Sequence, residues 1–156
     1  MNDLTIEYHQ DFYSWLCHNI SLLRNGRLSE IDVQNIAEEL EGMSKSQHRE
    51  LVNRLKILFV HLLKWQFQPD RRSSSWKGTI IEQRSQIKSL LKTSPSLEYQ
   101  IEDKISDAYA DAIEYAALET GLLESDFPQT CPYSLDISLD KTYYPDSGSG
   151  YIIEKK

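Results

Sequence analysis

His61 is the residue in this chain whose type and setting could do acid–base chemistry. It lies between Val60 and Leu62 in an apolar run, where burial or a nearby carboxylate tunes an imidazole. Glu38 and Glu39, just after Ala37, could orient it, and Arg84, close behind Ile80 and Ile81, is a second charge set in an apolar run. Charged groups do not stay unpaired in a core, so these positions predict a network of Glu38 or Glu39 with His61 and Arg84. Its catalytic form makes His61 a general base. No HExxH, paired-ligand spacing or nucleophile at a sharp turn accompanies it, and the structural form is the expectation. His9, His18 and His48 stand isolated and are assigned no role. Glu38, Glu39 and Glu41 with Asp32 make an acidic run, but the Glu-x-x-His step of helical carboxylate metal sites is missing, so no metal and no cofactor is expected.

A second set of residues is basic. Residues 64–92 carry seven Lys and Arg side chains against Asp70 and Glu82, a net +5 within a chain of net charge −7. Trp65, Phe67 and Trp76 lie among them, the composition of a patch for nucleic acid or a phosphorylated ligand. Arg84, Lys88 and Lys92 step by four, while Asp103, Asp107, Asp111 and Glu114 form an acidic stripe further on. An antiparallel hairpin about Ser94-Pro95 would set Lys88 opposite Asp103 and Arg84 opposite Asp107, neutralising most of that surplus. Arg71, Arg72 and Lys77 then remain, with a partly exposed Trp76, as the binding residues of a polar connector over residues 66–77.

The elements that must position these residues read as helices. Residues 1–7 look like a lead-in. Phe12, Trp15, Leu16, Ile20 and Leu23 recur at three- and four-residue steps, which predicts a first helix stopped by Gly26. Asp32 caps a second, bearing Val33, Ile36, Ala37 and Leu40, which Gly42 ends or bends. Ser44 with Gln47 opens a third, whose broad stripe of Leu51, Leu55, Leu58, Leu62 and Trp65 marks a central helix ended by Pro69. Ser74 or Ser75 caps a fourth over residues 76–92, with Ile80, Ile81, Ile87, Leu90 and Leu91 inward. Ser94-Pro95 starts a fifth, carrying Ile101, Ile105, Tyr109, Ala112 and Ala116 to Gly121. Beyond it, aromatics alternate with prolines in a segment that wraps over helices and tucks rings into gaps. No repeat and no strand is expected.

A chain of 156 residues, 40% hydrophobic and 26% charged, supports one core and is too apolar for intrinsic disorder. The prediction is an all-α bundle of about five main helices, with one domain over residues 1–145 and a flexible tail over 146–156. Cys17 and Cys131 form no CxxC or metal-like pair and read as buried small hydrophobes. The start lacks a basic segment followed by an apolar run, and His61 and Lys64 break the longest apolar stretch short of a membrane span. Both features predict a cytoplasmic protein without membrane contact.

Several phrases occur together and in order: Asp11-Phe12-Tyr13-Ser14-Trp15, Asn35 to Glu41, His61-Leu62-Leu63-Lys64-Trp65-Gln66, Ser75-Trp76, Gln83-Arg84, Ser94-Pro95-Ser96-Leu97 and Cys131-Pro132-Tyr133. Over residues 6–145 the chain resembles the bacterial family catalogued as domain of unknown function family 29. The resemblance implies an all-helical fold in a bacterial cytosol and brings no activity, substrate or cofactor with it; Leu135-Asp136-Ile137-Ser138-Leu139 departs from the family, being less regularly apolar than its short terminal helix.

The functional reading is a non-enzymatic protein-binding or adaptor module, alone or as an oligomer, that meets its protein partner through the connector. The alternatives are a small enzyme acting on nucleic acid or a phosphorylated ligand with His61 as general base, and a nucleic-acid-binding protein.

Overall fold

The computed structural model describes residues 3–146; the tail expected beyond residue 146 lies outside them. The fold is all-α: α1 (Asp3–Gln10), α2 (Phe12–Arg24), α3 (Val33–Phe67), α4 (Ser74–Thr93), α5 (Ile101–Thr120) and α6 (Leu135–Leu139), with one-turn 3-10 helices in the connections and no strand among the described residues. Backbone contacts divide the chain into two units, Met1–Gln47 and His48–Lys156. α3 supplies residues to both.

In the first unit, the stretch read as a lead-in is helical. α1 passes to α2 at Asp11, whose carboxylate accepts the Ser14 N–H at 3.0 Å and caps α2. Gly26 follows the end of α2 at φ +69, a left-handed conformation that glycine adopts without steric cost. Asp32 caps α3 as its position predicts, accepting the Asn35 N–H at 3.4 Å. Trp15 is the buried residue around which this unit packs, 4.9 Å from the Tyr8 ring and stacked on Phe12 at 5.5 Å.

α3 overturns one expectation. It runs 35 residues, about 50 Å at the α-helical rise, through Gly42 and through the Ser44 and Gln47 proposed as a new start. Glycine costs a helix interior only about 1 kcal/mol, whereas ending and renucleating costs far more, so propagation wins where no proline intervenes. The pairs Glu41–Lys45 at 3.6 Å and Glu50–Arg54 at 3.0 Å, each four residues apart, support the continuous run. Pro69 stops it.

In the second unit, Leu51, Leu55, Leu58 and Leu62 of α3 are fully buried, with Ile80 and Ile87 of α4 and Ile105, Tyr109, Ala112 and Ala116 of α5 completing the core. Each large side chain buried here contributes about 1.5–3 kcal/mol. Ile81, predicted to point inward, is exposed. Ser73, one residue earlier than expected, caps α4 by accepting the Trp76 N–H. Ser94-Pro95 starts a 3-10 turn, Pro95–Glu98, and Gln100 then takes a left-handed φ of +53 before α5 begins at Ile101.

The C-terminal segment inserts its rings as expected. Phe127 packs edge-on to Phe67 at 5.2 Å, and Tyr133 stacks on Phe59 at 5.8 Å with its hydroxyl donating to Gln66 Oε1 at 3.0 Å. Ser134 caps the short α6.

Candidate functional site

The groups expected to form a network fall in different units, Glu38 and Glu39 in the first and His61 and Arg84 in the second, and each has surroundings of its own. Glu39 accepts the Tyr8 hydroxyl at 2.6 Å, and Glu38 is exposed. His61 is half-buried, its Nδ1 lying 2.9 Å from the Ile57 carbonyl, so the proton sits on Nδ1 and is donated one turn back along α3. Burial pushes the imidazole below its ordinary pKa, with nearby Lys64 acting in the same sense. At neutral pH the ring is uncharged.

Arg84 is 2% exposed, and among the described residues no ion pair holds it. Its Nε donates to the Ser138 carbonyl and its Nη2 to the Tyr143 carbonyl, each at 2.7 Å, and its guanidinium lies 5.3 Å from the Tyr144 ring centre. Burial lowers its proton affinity, yet a guanidinium stays charged, and the two carbonyls with the ring face take the place of a counter-ion. Among the described residues, Arg84 Nη1 and Ser138 Oγ are buried without a hydrogen-bond partner. Arg84 therefore clamps the segment after α5 onto α4.

The expected pairing of α4 cations with the α5 acidic stripe is also absent. No ion pair joins Arg84 or Lys88 to Asp103 or Asp107 among the described residues. The 3-10 turn and left-handed Gln100 displace the start of α5 from the hairpin register assumed for it. Asp107 and Asp111 instead face His48, Arg49 and Lys56 of α3 across a cleft of about 240 Å³.

The connector residues divide into braces and free ends. Arg72 donates from Nε to the Trp65 carbonyl at 2.7 Å and from Nη2 to the Pro145 carbonyl at 3.4 Å, with its guanidinium over the Trp65 ring. Trp65 in turn lies 4.9 Å from Tyr144. Trp76 is half-buried beneath the Lys64 ammonium, 4.7 Å from its ring centre, and that ammonium pairs with Glu119 at 2.7 Å. Arg71 and Lys77 are exposed, although the Lys77 nitrogen sits 5.4 Å from the Tyr144 ring centre. Half of the predicted binding set thus holds the fold together, and Arg71 and Lys77 face solvent.

The cysteines differ from each other. Cys17 is exposed, against expectation, and Cys131 is half-buried with its thiol pushed up to about 12 by burial. Cys131 lines a cleft of about 510 Å³ with Glu102, Tyr109 and Tyr133, as a protonated thiol rather than a nucleophile.

The first unit holds what the sequence reading passed over. Glu7 accepts the Ser14 hydroxyl and lies 2.7 Å from His18 Nδ1, and these contacts hold its carboxyl below the usual range. His18, assigned no role from sequence, is thus tied to α1. Leu28, Val33, Leu40 and Met43 are 61%, 64%, 61% and 64% exposed, and every residue from 40 to 47 is exposed. The face of Val33, Ile36, Ala37 and Leu40 is legible in the sequence; Val33, Ala37 and Leu40 of it are exposed, and Met43 extends it.

Among the described residues, no group of three or more His, Cys, Asp or Glu side chains is placed to hold a metal ion, and no helix is long and apolar enough to cross a membrane. The fold and these placements define an all-α protein whose charged core residues act as joints. The chain belongs to the family of the domain of unknown function DUF29, whose model matches residues 7–144. No curated protein and no solved structure matches it. The phrases that carry the family resemblance coincide with joints: Asp11 caps α2, Trp15 reaches Asp32, Gln66 meets Tyr133, and Arg84 clamps the C-terminal segment.

Proposed function

We propose that this protein is a non-enzymatic protein-binding module whose docking surface lies on the first unit, over residues 3–47. The observation that carries the reading is the run of large apolar side chains left in solvent there, Val33, Leu40 and Met43 on α3, with Leu28 in the 3-10 turn before it. Exposed apolar groups clustered on one element mark an interaction surface more often than scattered single ones do. Against a catalytic role, His61 Nδ1, Glu39 Oε1 and Arg84 Nε are each hydrogen-bonded to a separate structural partner. Arg71 and Lys77 extend the reading to the connector as a second, charged contact.

The experiment is affinity capture from cell extract with wild type, a Leu28→Glu/Val33→Glu variant and an Arg71→Glu/Lys77→Glu variant. Loss of captured proteins with the Leu28→Glu/Val33→Glu variant supports the module. Identical profiles from wild type and both variants overturn it.

A further inference from the structure

We propose that the cleft between the first half of α5 and the segment of residues 129–134 is a binding site for a small organic amine, its ammonium on Glu102 and its apolar body against Tyr109 and Tyr133. The cleft holds about 510 Å³, a volume that suits a small ligand. It lies within the second unit, apart from the docking surface proposed on the first. Glu102, Ile105, Ser106, Tyr109 and Ala110 follow three- and four-residue steps, so one face of α5 makes the first wall. The small side chains of Ser106 and Ala110 leave the space open. Cys131 and Tyr133 stand on the other wall, in a non-helical stretch that Pro128 and Pro132 keep from coiling.

Which polar groups are spent and which are free selects the ligand. The Tyr109 hydroxyl donates to the Pro128 carbonyl at 2.6 Å, the Tyr133 hydroxyl donates to Gln66 Oε1, and the Ser134 hydroxyl accepts the Ile137 N–H as the cap of α6. These three serve the fold. The Glu102 carboxylate and the Ser106 and Thr130 hydroxyls have no hydrogen-bond or ion-pair partner among the described residues, and all three residues are exposed. Ile105, Tyr109 and Tyr133 are buried and make the floor. Among the described residues that line the cleft none is Lys, Arg or His, so the formal charge facing it is that of Glu102. An anion is repelled there, and a neutral ligand gains only an ordinary hydrogen bond. An ammonium gains a charge-assisted one, with the Ser106 hydroxyl one helical turn from Glu102 as a second acceptor. Burial pushes the Cys131 thiol up to about 12 and the Glu102 charge acts in the same sense, so the field of the carboxylate reaches the opposite wall.

The test is titration of the full chain, followed by NMR of its backbone amides, with phenethylammonium, phenylethanol and phenylpropanoate, which carry a positive, no and a negative charge on a similar body. Phenethylammonium is expected to shift resonances of residues 102–110 and 129–134 and to bind about tenfold more tightly than the other two, the advantage of a charge-assisted over a neutral hydrogen bond. Glu102→Gln, at a side chain with no partner in the fold, is expected to keep the helical circular dichroism and to abolish that preference. Ala110→Leu, which fills the cleft and leaves Glu102 in place, should weaken binding of all three. Phenethylammonium binding that persists unchanged in Ala110→Leu would mean simple attraction to an exposed acid and overturn the site. Equal binding of the three by wild type, or no shift with any of them at about 10 mM, overturns the proposal as well.

Discussion

The Trp15 indole donates to Asp32 Oδ2 across 3.0 Å, and both side chains are buried. One carboxylate thus joins α2 to the first turn of α3, since Asp32 also accepts the Asn35 N–H and its side-chain amide. Burial pushes the Asp32 carboxyl upward, but the hydrogen bonds from Asn35 and Trp15 outweigh it and hold the pKa below its ordinary value. The folded value lies below the unfolded one, so this stabilisation is complete above about pH 4 and is lost as pH falls through the folded value. Asp32→Ala should cost about 1–3 kcal/mol in urea unfolding at pH 7, through a lost cap and an orphaned indole N–H, with the gap to wild type narrowing in acid.

His61 predicts a second, milder acid window. Burial lowers its folded pKa, so the unfolded chain takes up the proton first. Stability from neutral His61 is present above about pH 6.5 and declines as pH falls from there toward the folded value. A ring titration followed by NMR should show a midpoint below that of a free histidine, and His61→Gln should flatten the slope of stability against pH in this window. A midpoint at or above the free value would contradict the burial.

Lys64 and Glu119 make an asymmetric pair, the lysine side chain 11% exposed and the glutamate 43%. Changing the acid to glutamine keeps a hydrogen-bond acceptor but takes away the counter-charge of the Lys64 ammonium, which lies over the Trp76 ring. Glu119→Gln is therefore expected to destabilise by about 1–2 kcal/mol after allowance for solvent screening, whereas Lys64→Met, which removes the buried charge itself, should cost less. Equal losses from both in thermal unfolding would mean that the pair contributes no more than packing.

Gly42 and Gly78 sit inside α3 and α4, where an added Cβ meets nothing within 4 Å. Either one changed to alanine should stabilise by about 0.5–1 kcal/mol, through reduced freedom of the unfolded chain and better helix propensity. Calorimetry should show a higher Tm for each, and additive gains for the two together.

What was legible in the sequence follows from range. Local signals were read correctly: Asp32 as a cap, Gly26 and Gly121 as stops, Pro69 as the end of the long helix, and the buried faces of α5 and of α3 from Leu51 on. Gly42 misled because helix cooperativity outweighs one weak residue. The Asp32 cap was visible, but its Trp15 partner lies 17 residues away and no local period announces it. Arg84 was recognised as a charge in an apolar run that must be satisfied, and carboxylates were sought for it. Its actual partners are carbonyls of Ser138 and Tyr143, and every residue carries a carbonyl, so no residue type signals them. The stripe of Val33, Leu40 and Met43 has the period of a buried face; periodicity marks a surface to be covered without telling whether the same fold covers it.

The central claim is that this stripe is made to be covered by protein. Amide hydrogen exchange of the full chain, free and in the complex captured from cell extract, tests it most directly, because a covered helix opens less to solvent. The account predicts slower exchange over residues 33–47 in the complex, with α5 unchanged. Exchange over 33–47 that is fast and identical in both states would contradict it.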